Sequence, residues 1–418
     1  MPLDTTILRQ IYDPANRANP YPLWARLRET PVCWQEDGPD ETGTWVVSTH
    51  REIEALLHDP RVSSDFTNRM EAMGQPSAAD PHAFIARDPP EHDRLRRLAM
   101  RHFGPPERPR YLEDLRPEIA RTVASLLDRL EDQRQIDLVE AFAYPLPVAV
   151  ICQILGVPLD DQPRFRAWAD AVVEAFGEDA EEQGRRRERA FAELGQYMAE
   201  LIERRRERPG DDMLSRLATD TGPDGPMPDA YLVGTAQLLL IAGHETTVNL
   251  IANAMLTLLR HPAVLERLRH EPDLVAPTVE EVLRYEPPVQ LLPNRTTLGD
   301  VDLAGTTIPR GVVLTLALAA GNRDPARFPD PDRFDPDRPA NAHLGFGSGI
   351  HSCFGAALAR LEAQIALPEL VRRLEQARLV ADPPPYRPSP VLRGPQHLLL
   401  DVAGVHPGQE RLAVHAPR

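Results

Sequence analysis

Three observations predict a mainly α-helical fold with small β-sheets. The first is a long apolar segment between Asp229 and His261 that has helical length and ends before Pro262, since the residue before a proline is disfavoured in a helix. The second is helical periodicity over most of the remaining chain. The third is that strand-like segments are few and short, namely 45–48 and parts of 300–316. We therefore expect a helical core with a small sheet near the start of the chain.

The composition is that of an ordinary globular protein. Of the 418 residues, 42% are hydrophobic and 26% are charged. The net charge of −16 argues against nucleic acid or an anionic membrane as a partner. Three scattered cysteines give no disulfide framework, and the N-terminal segment has no signal peptide or apolar anchor, so we expect a cytoplasmic protein that binds no membrane. We expect one domain over 1–418, with peripheral tails at about 1–19 and 404–418.

Helical patterns and irregular segments alternate along the chain. Besides the long apolar segment, helices are predicted over 20–30, 50–58, 110–131, 138–156 and, as two or three helices, 160–208. Residues 61–90 form a long irregular stretch, which inside a compact domain is usually functional or disordered. Residues 175–184 are predicted to be a mobile lid, and the Gly-, Asp- and Pro-rich residues 209–228 a linker.

The long apolar segment is predicted to be a central core helix. Apolar residues occupy every face, which is typical of a helix buried all round or of a membrane span. Polar residues from His244 to Asn249 interrupt the apolar run too early for a span. A buried carboxyl next to a hydroxyl, here Glu245 and Thr246, is costly without partners and is a functional candidate. The alternative is a kinked helix with an internally satisfied glutamate.

A glycine-rich loop presents a single cysteine. Residues 346–355 place Cys353 among Gly347, Gly349 and Gly355, directly before a predicted helix. A helix N-terminus offers partial positive charge and free N–H groups to a thiolate. One thiolate does not make a zinc site, which needs about four ligands, but it suits a haem iron. The alternative is a buried structural cysteine in a glycine turn.

Two further pairs are spaced for helical contact. His92 and Arg96 are four residues apart and lie on one helical face, where they could bind a carboxylate or a phosphate or could simply be solvated. Glu281 and Arg284 are three residues apart and can pair. Most pairs of this second kind are surface ion pairs.

Taken together, these motifs resemble those of the cytochromes P450 of the soluble bacterial class. The Cys loop matches the haem-binding signature of that family, and 242–247 (Ala-Gly-His-Glu-Thr-Thr) matches its long-helix motif. His92-x-x-x-Arg96 and Glu281-x-x-Arg284 match in the same order, so the resemblance extends from about residue 20 to 403.

The resemblance implies a fold, a cofactor and residue roles. Haem b is expected between the long helix and the Cys loop, with Cys353 as the metal ligand. The family pattern implies the following cofactor contacts: Phe346, Gly347, His351, His92, Arg96 and Arg295. Glu245 and Thr246 are expected to deliver protons to bound dioxygen. The substrate pocket is expected to be roofed by the 61–90 loop and lined by Leu239, Ala242, Val289, Leu291 and Val391. A structural network is expected from Glu281, Arg284 and Arg333, the last preferred over Arg323.

The function implied by the resemblance is a haem-thiolate monooxygenase. It would insert one oxygen atom from O2 into a C–H bond of a mainly apolar small molecule, with terpenoids, steroids, polyketides and fatty acyl groups as the candidate classes. The chain has no flavin, nicotinamide or iron–sulfur motif, so electrons are expected from NAD(P)H through a ferredoxin and its reductase. The alternatives are a peroxide-dependent haem enzyme and a haem-based sensor.

Overall fold

The computed structural model describes residues 4–36, 43–75, 80–105, 107–173 and 180–408. Most of these residues are helical, as predicted. The α-helices in this part of the chain are α1 (Ile7–Tyr12), α2 (Tyr21–Arg28), α3 (His50–Leu57), α4 (Phe66–Ala72), α5 (Glu91–Arg101), α6 (Tyr111–Asp128), α7 (Pro145–Leu155), α8 (Gln162–Val173), α9 (Ala180–Glu207), α10 (Met213–Thr219), α11 (Asp229–Arg260), α12 (Pro262–His270), α13 (Val275–Tyr285), α14 (Leu318–Gly321) and α15 (Ala356–Arg373).

Strands form a minor part of the fold and lie in four small sheets of the described residues. The strands are β1 (Val32–Glu36), β2 (Gly43–Val47), β3 (Val62–Ser63), β4 (Gln135–Asp137), β5 (Leu292–Thr297), β6 (Val301–Leu303), β7 (Thr306–Ile308), β8 (Val313–Leu316), β9 (Leu374–Glu375), β10 (Arg378–Leu379), β11 (Leu399–Asp401) and β12 (Gly404–Val405). The largest sheet has the order β1-β2-β8-β5-β3, in which only the β2–β8 pair is parallel. The others are β10-β11-β4, β12-β9 and the predicted β6-β7 hairpin.

Helix α11 is the central element of the fold. It packs against α7, α9, α13 and α15, and its side chains from Val248 to Leu258 are all buried. Pro262 ends it and starts α12, which is bent by 108° relative to α11. Among the described residues no single helix is long and apolar enough to cross a membrane, although α11 and α12 together meet the length and composition criteria.

Several segments predicted to be irregular are ordered by short local elements. The 61–90 stretch contains β3, α4 and a 3-10 turn at Phe84–Ala86. The linker predicted at 209–228 contains α10. Aspartates that accept a backbone N–H, Asp65 from Thr67 and Asp212 from Ser215, cap α4 and α10. With seven residues each, α4 and α10 are too short for helical periodicity to be recognised in the sequence. Their capping aspartates were the only local signal.

Both predicted tails contain ordered structure that contacts the body of the protein. Helix α1 buries Ile7, Leu8 and Ile11 in a hydrophobic cluster that also contains Trp24. Strand β12 pairs with β9. The segment 1–19 is therefore not peripheral around α1, and the C-terminal tail begins after β12. Residues 175–179 of the predicted lid lie outside the described residues, and 180–184 form the first turn of α9.

Candidate active site

The Cys loop is held in a fixed shape by two glycines and one backbone hydrogen bond. Gly347 and Gly349 have φ values of +67° and +69°, a region that other residues rarely adopt. A Cβ on Gly349 would also lie 2.3 Å from the carbonyl oxygen of Leu57. The Cys353 N–H donates to the Phe346 carbonyl at 2.9 Å. The loop therefore requires glycine at these positions in order to present Cys353.

Cys353 lies immediately before the N-terminus of α15 and is solvent-accessible. Protein nevertheless surrounds most of its thiol, and this burial raises its pKa. A hydrogen bond from the Gly355 N–H and the charges of Arg96 and Arg360 act in the opposite direction. These groups would stabilise a thiolate once a metal binds the sulfur.

Four predicted cofactor contacts form a cluster beside this loop, which we call the open cluster: His92, Arg96, Arg295 and His351. The His92 and His351 rings are 4.3 Å apart. Arg96 donates to the Ser352 carbonyl at 2.8 Å. Burial lowers the pKa of Arg295 to about 10. Burial and the neighbouring His92, Arg295 and Arg96 lower the pKa of His351 to about 3. The surroundings of this cluster therefore favour an anion.

Buried ring nitrogens of the open cluster lack partners within the described part of the chain. His92 Nε2 and both ring nitrogens of His351 are buried without a hydrogen bond among the described residues. Arg69 on α4, which sequence reasoning missed, adds another half-buried cation near Arg295, and its Nε is also unsatisfied there. Buried polar atoms are normally hydrogen-bonded. This donor set fits carboxylate groups of a bound ligand.

Glu245 and Thr246 lie near the middle of α11. The Thr246 hydroxyl donates to the Ala242 carbonyl at 3.1 Å. The Glu245 side chain is 2% exposed and accepts a hydrogen bond from Arg387 Nη1 at 3.1 Å. Burying a carboxylate without a partner is costly, and Arg387 supplies the compensating charge.

Arg387 belongs to no motif and was missed by sequence reasoning. It lies in an antiparallel turn in which Tyr386 bridges Pro395, and its N–H donates to the Gly394 carbonyl. A Cβ on Gly394 would lie 2.2 Å from Oδ1 of Asn249 on α11, so the turn is packed tightly against the central helix. The available signal was the buried Glu245 itself, which requires a cation from somewhere in the chain.

The predicted pocket residues are partly brought together. Val289 forms a bridge with Leu392, and the Gln290 N–H donates to the Val391 carbonyl, so the two apolar segments are adjacent. Ala242 is exposed, and Val289 and Val391 are partly exposed. Leu239 is almost buried at 8% exposure.

Leu291 departs from the predicted pocket lining. It is 1% exposed and packs in the hydrophobic cluster that contains Trp24 and Val46. The next residue, Leu292, is the one left partly exposed. The sequence could not show this, since it does not reveal which side of the strand faces α1 and α2.

The predicted roof lies against the N-terminal half of α11. A Cβ on Gly234 would lie 2.4 Å from the carbonyl oxygens of Pro81 and His82. The segment that contains Pro81 is held by Arg87, which forms an ion pair with Asp80 and a hydrogen bond to Tyr231 on α11. The 80–87 part of the predicted loop is therefore fixed to the central helix.

Glu281 and Arg284 form a fully buried ion pair, with both side chains 0% exposed and an Nη2–Oε1 distance of 2.7 Å. Arg284 also donates to the carbonyls of Asn322, Pro331 and Arg333. Glu281 accepts from the Asp335 N–H. The pair thus ties α13 to the segment that precedes the Cys loop.

The Arg333 side chain does not join this pair. It is 66% exposed, and only its backbone carbonyl takes part. Arg338 contributes instead: its side chain is 7% exposed, and its Nε is 3.5 Å from Glu281. We call Glu281, Arg284 and Arg338 the paired network. Arg323 is elsewhere, stacked between the rings of Tyr21 and Tyr285.

Comparison with known proteins decides the family. A sequence model described as "Cytochrome P450" matches residues 30–402. The chain belongs to the cytochrome P450 family. This P450 is 42% identical over 382 residues to the monooxygenase PikC of Streptomyces venezuelae, which covers 90% of this chain and 89% of the relative. It is 40% identical to the vitamin D(3) 25-hydroxylase of Pseudonocardia autotrophica, covering 90% and 92%.

A solved structure supports the same fold. The P450 CYP109E1 from Bacillus megaterium in complex with testosterone superimposes with a TM-score of 0.85 at 36% identity, covering 94% of this chain and 100% of that one. The predicted fold class is thereby confirmed, and the protein is a P450 monooxygenase. The family implies a haem cofactor, and the accessible thiol fits one, because it lies beside buried cations and beside imidazole nitrogens that have no partner among the described residues.

Proposed function

We propose that Cys353 is the thiolate ligand of a haem iron and that the open cluster binds the haem carboxylates. The observation that carries this proposal is the juxtaposition of an accessible thiol with buried donors that have no partner in the described chain. Arg96 links the open cluster to the Cys loop, because it donates to the Ser352 carbonyl and its charge lowers the pKa of Cys353. Bound haem would supply the activation of dioxygen, with the thiolate donating electron density to the iron.

Two residues of α11, Glu245 and Thr246, would control the delivery of protons to the reaction site. Glu245 and Thr246 occupy successive positions on α11, one held by Arg387 and the other by the Ala242 carbonyl. We propose that the Glu245 carboxyl passes protons to the Thr246 hydroxyl, which passes them on to the reaction site. A general acid must lie within hydrogen-bond reach of the atom that takes its proton. The Thr246 hydroxyl can both accept and donate a hydrogen bond, and it can rotate between Glu245 and the reaction site.

We propose that the reaction inserts one oxygen atom into a C–H bond of an apolar molecule of about steroid size. The candidate lining, Ala242, Val289 and Val391, is apolar and accessible. A relative named as a vitamin D(3) 25-hydroxylase and a P450 solved with testosterone support this size and polarity. Electrons would come from NAD(P)H through a ferredoxin-type donor and its reductase, because the sequence has no redox module of its own.

Replacement of Cys353 by histidine tests the ligand assignment. The reduced carbon monoxide complex of the wild type should absorb at about 450 nm, which reports thiolate ligation, and Cys353→His should lose that band. A variant that keeps the band would refute the assignment. Cys152→Ala is the matched control, since Cys152 is buried in α7 and its loss should leave the band in place.

Replacement of Thr246 by alanine separates the monooxygenase from a peroxide-dependent enzyme. The variant should divert electrons from product to hydrogen peroxide when the protein turns over with NAD(P)H and a redox pair. Substrate is found first by screening steroid-like compounds for a shift of the haem absorbance. Coupling equal to that of the wild type, or turnover with peroxide alone, would contradict the proposed proton delivery.

A further inference from the structure

A buried histidine beside Glu245 has one ring nitrogen with no role in the proposed reaction. His244 on α11 is 2% exposed. Its Nδ1 lies 2.7 Å from the Leu240 carbonyl oxygen. A carbonyl can only accept, so Nδ1 carries the proton of the neutral ring. Nε2 therefore holds a lone pair, and it has no hydrogen-bond partner among the described residues.

That lone pair faces the Glu245 carboxylate. His244 Nε2 is 3.7 Å from Glu245 Oε1, while Arg387 binds Oε2 at 3.1 Å. Two acceptors repel each other unless a proton lies between them. A shift of about 1 Å would bring the two atoms to hydrogen-bond distance. One proton could therefore be shared between His244 Nε2 and Glu245 Oε1.

Other charged groups set the balance of this pair. Burial lowers the pKa of His244, Glu245 raises it, and Arg387 lowers it. The Tyr144 ring packs against the imidazole edge to face at 5.8 Å, and Arg166 lies over the Tyr144 ring at 4.5 Å. The net effect is a lowered pKa, which favours the neutral imidazole, and Glu245 and the Leu240 carbonyl are the groups that favour its protonation.

We propose that His244 is a positioning residue that shares a proton with Glu245 and recharges it between proton deliveries. The inference rests on the proposed role of Glu245. In the step, the Nε2–H bond of the imidazolium breaks and an O–H bond forms on Glu245 Oε1. The ring becomes neutral and the carboxylate becomes a carboxylic acid, which passes its proton on. In a separate step, hydronium from the solvent protonates Nε2 and becomes water, so both steps are proton transfers that need no oxidant or reductant.

His261 is a natural control at the end of the same helix. Its Nδ1 lies 2.8 Å from the Thr257 carbonyl, and its ring meets Tyr285 edge to face at 6.0 Å. These contacts match those of His244. No ion pair joins His261 to a carboxylate in the described part of the chain.

The first test measures coupling in the holoenzyme. His244→Gln keeps a polar side chain near Glu245 but cannot carry a proton at neutral pH. It should lower the rate and coupling of product formation, the rate by about 100-fold or more, which is the lower end for a lost proton-transfer group, and raise the solvent deuterium isotope effect. His261→Gln should change none of these quantities. Wild-type coupling and isotope effect in His244→Gln would overturn the inference.

The second test uses no turnover and needs no substitution of His244. Long-range nitrogen–proton NMR of histidine-labelled resting protein should show the Nδ1–H tautomer for His244, and the Nε2 signal should shift in Glu245→Gln. An Nε2–H tautomer would overturn the inference. If Glu245→Gln and Thr246→Ala stay coupled, the proposed function fails. If they uncouple while His244→Gln does not, only the role of His244 fails.

Discussion

The paired network and the open cluster are both groups of buried charges near the Cys loop, but they are completed differently. In the paired network, Glu281 and Arg284 neutralise each other at 0% exposure, and backbone groups satisfy the remaining atoms. In the open cluster, cationic and imidazole donors lie together while His92 Nε2 and the His351 ring have no partner in the described residues. Buried charge costs several kcal/mol unless it is compensated. The comparison separates charges that stabilise the fold from charges that we propose to bind a ligand.

The largest effect should follow from breaking the paired network. Arg284→Ala would leave the Glu281 carboxylate buried without its main partner and would remove the side-chain donor of the Asn322 and Pro331 carbonyls, while the Arg333 carbonyl still accepts from Arg338. We expect the free energy of unfolding to fall by about 3–5 kcal/mol, as for other broken buried pairs. Urea denaturation of the holoenzyme measures this. A loss under about 1 kcal/mol, the range of a surface ion pair, would mean that the network is not needed for the fold.

Breaking the open cluster should affect haem retention before it affects the fold. Arg295→Gln removes a buried cation that would bind a haem carboxylate. Losing a hydrogen bond to a charged group costs about 1.5–3 kcal/mol, so haem dissociation should be about 10- to 100-fold faster. Transfer of haem to an acceptor protein measures the rate. Arg310→Gln is the control, because Arg310 is exposed in the connection between β7 and β8.

An unchanged dissociation rate in Arg295→Gln would remove that residue from the haem site. The same measurement on Arg69→Gln would show whether the extra cation on α4 also contacts a haem carboxylate. A faster rate there would extend the open cluster to Arg69, whereas an unchanged rate would confine it to the four residues found from the sequence.

Arg333 and Arg338 offer a matched pair within the paired network. Arg338 donates to the carbonyls of Pro329 and Asp330 and lies 3.5 Å from Glu281. Arg338→Ala should lower the free energy of unfolding by about 1.5–3 kcal/mol, as for lost hydrogen bonds from a charged donor. Arg333→Ala should change it by less than about 0.5 kcal/mol, as for other exposed side chains. Equal effects in urea denaturation would contradict the assignment of Arg338.

The sequence predicted residues that belong to local motifs and missed residues that reach a site from distant segments. Cys353 belongs to a motif within one loop, and His92 and Arg96 belong to a motif within one helix, α5. The residue spacing within such a motif can be read from the sequence, and the structure places the two motifs side by side. Arg338 and Arg387 reach Glu281 and Glu245 from distant, irregular segments. No periodicity marks such segments, so only the charge requirement of a buried carboxylate could have suggested them. Leu291 shows the same limit, because its burial depends on the packing of α1 and α2.

A further expected effect concerns acid stability and involves Glu280, which precedes Glu281 of the paired network on α13. Burial raises the pKa of this carboxyl, but hydrogen bonds from Arg360 on α15 and from His343 lower it to about 2 overall. A carboxyl whose pKa is lower in the folded than in the unfolded state stabilises the fold above its unfolded pKa, about 4.3. That contribution is lost as the pH falls from about 4 towards 2.

Glu280→Gln should therefore flatten the decline of stability in this pH window and change little at pH 7 beyond the loss of the pair itself. Denaturation midpoints measured from pH 5 to about pH 3 test this, with Glu266→Gln as a control for an exposed carboxyl that binds His270 and Arg269. If both variants lose the same slope, Glu280 behaves as a surface carboxyl. A flattening only in Glu280→Gln means that the contact between α13 and α15 stabilises the fold beside the paired network. For the open cluster we propose instead that a bound ligand compensates the buried cations.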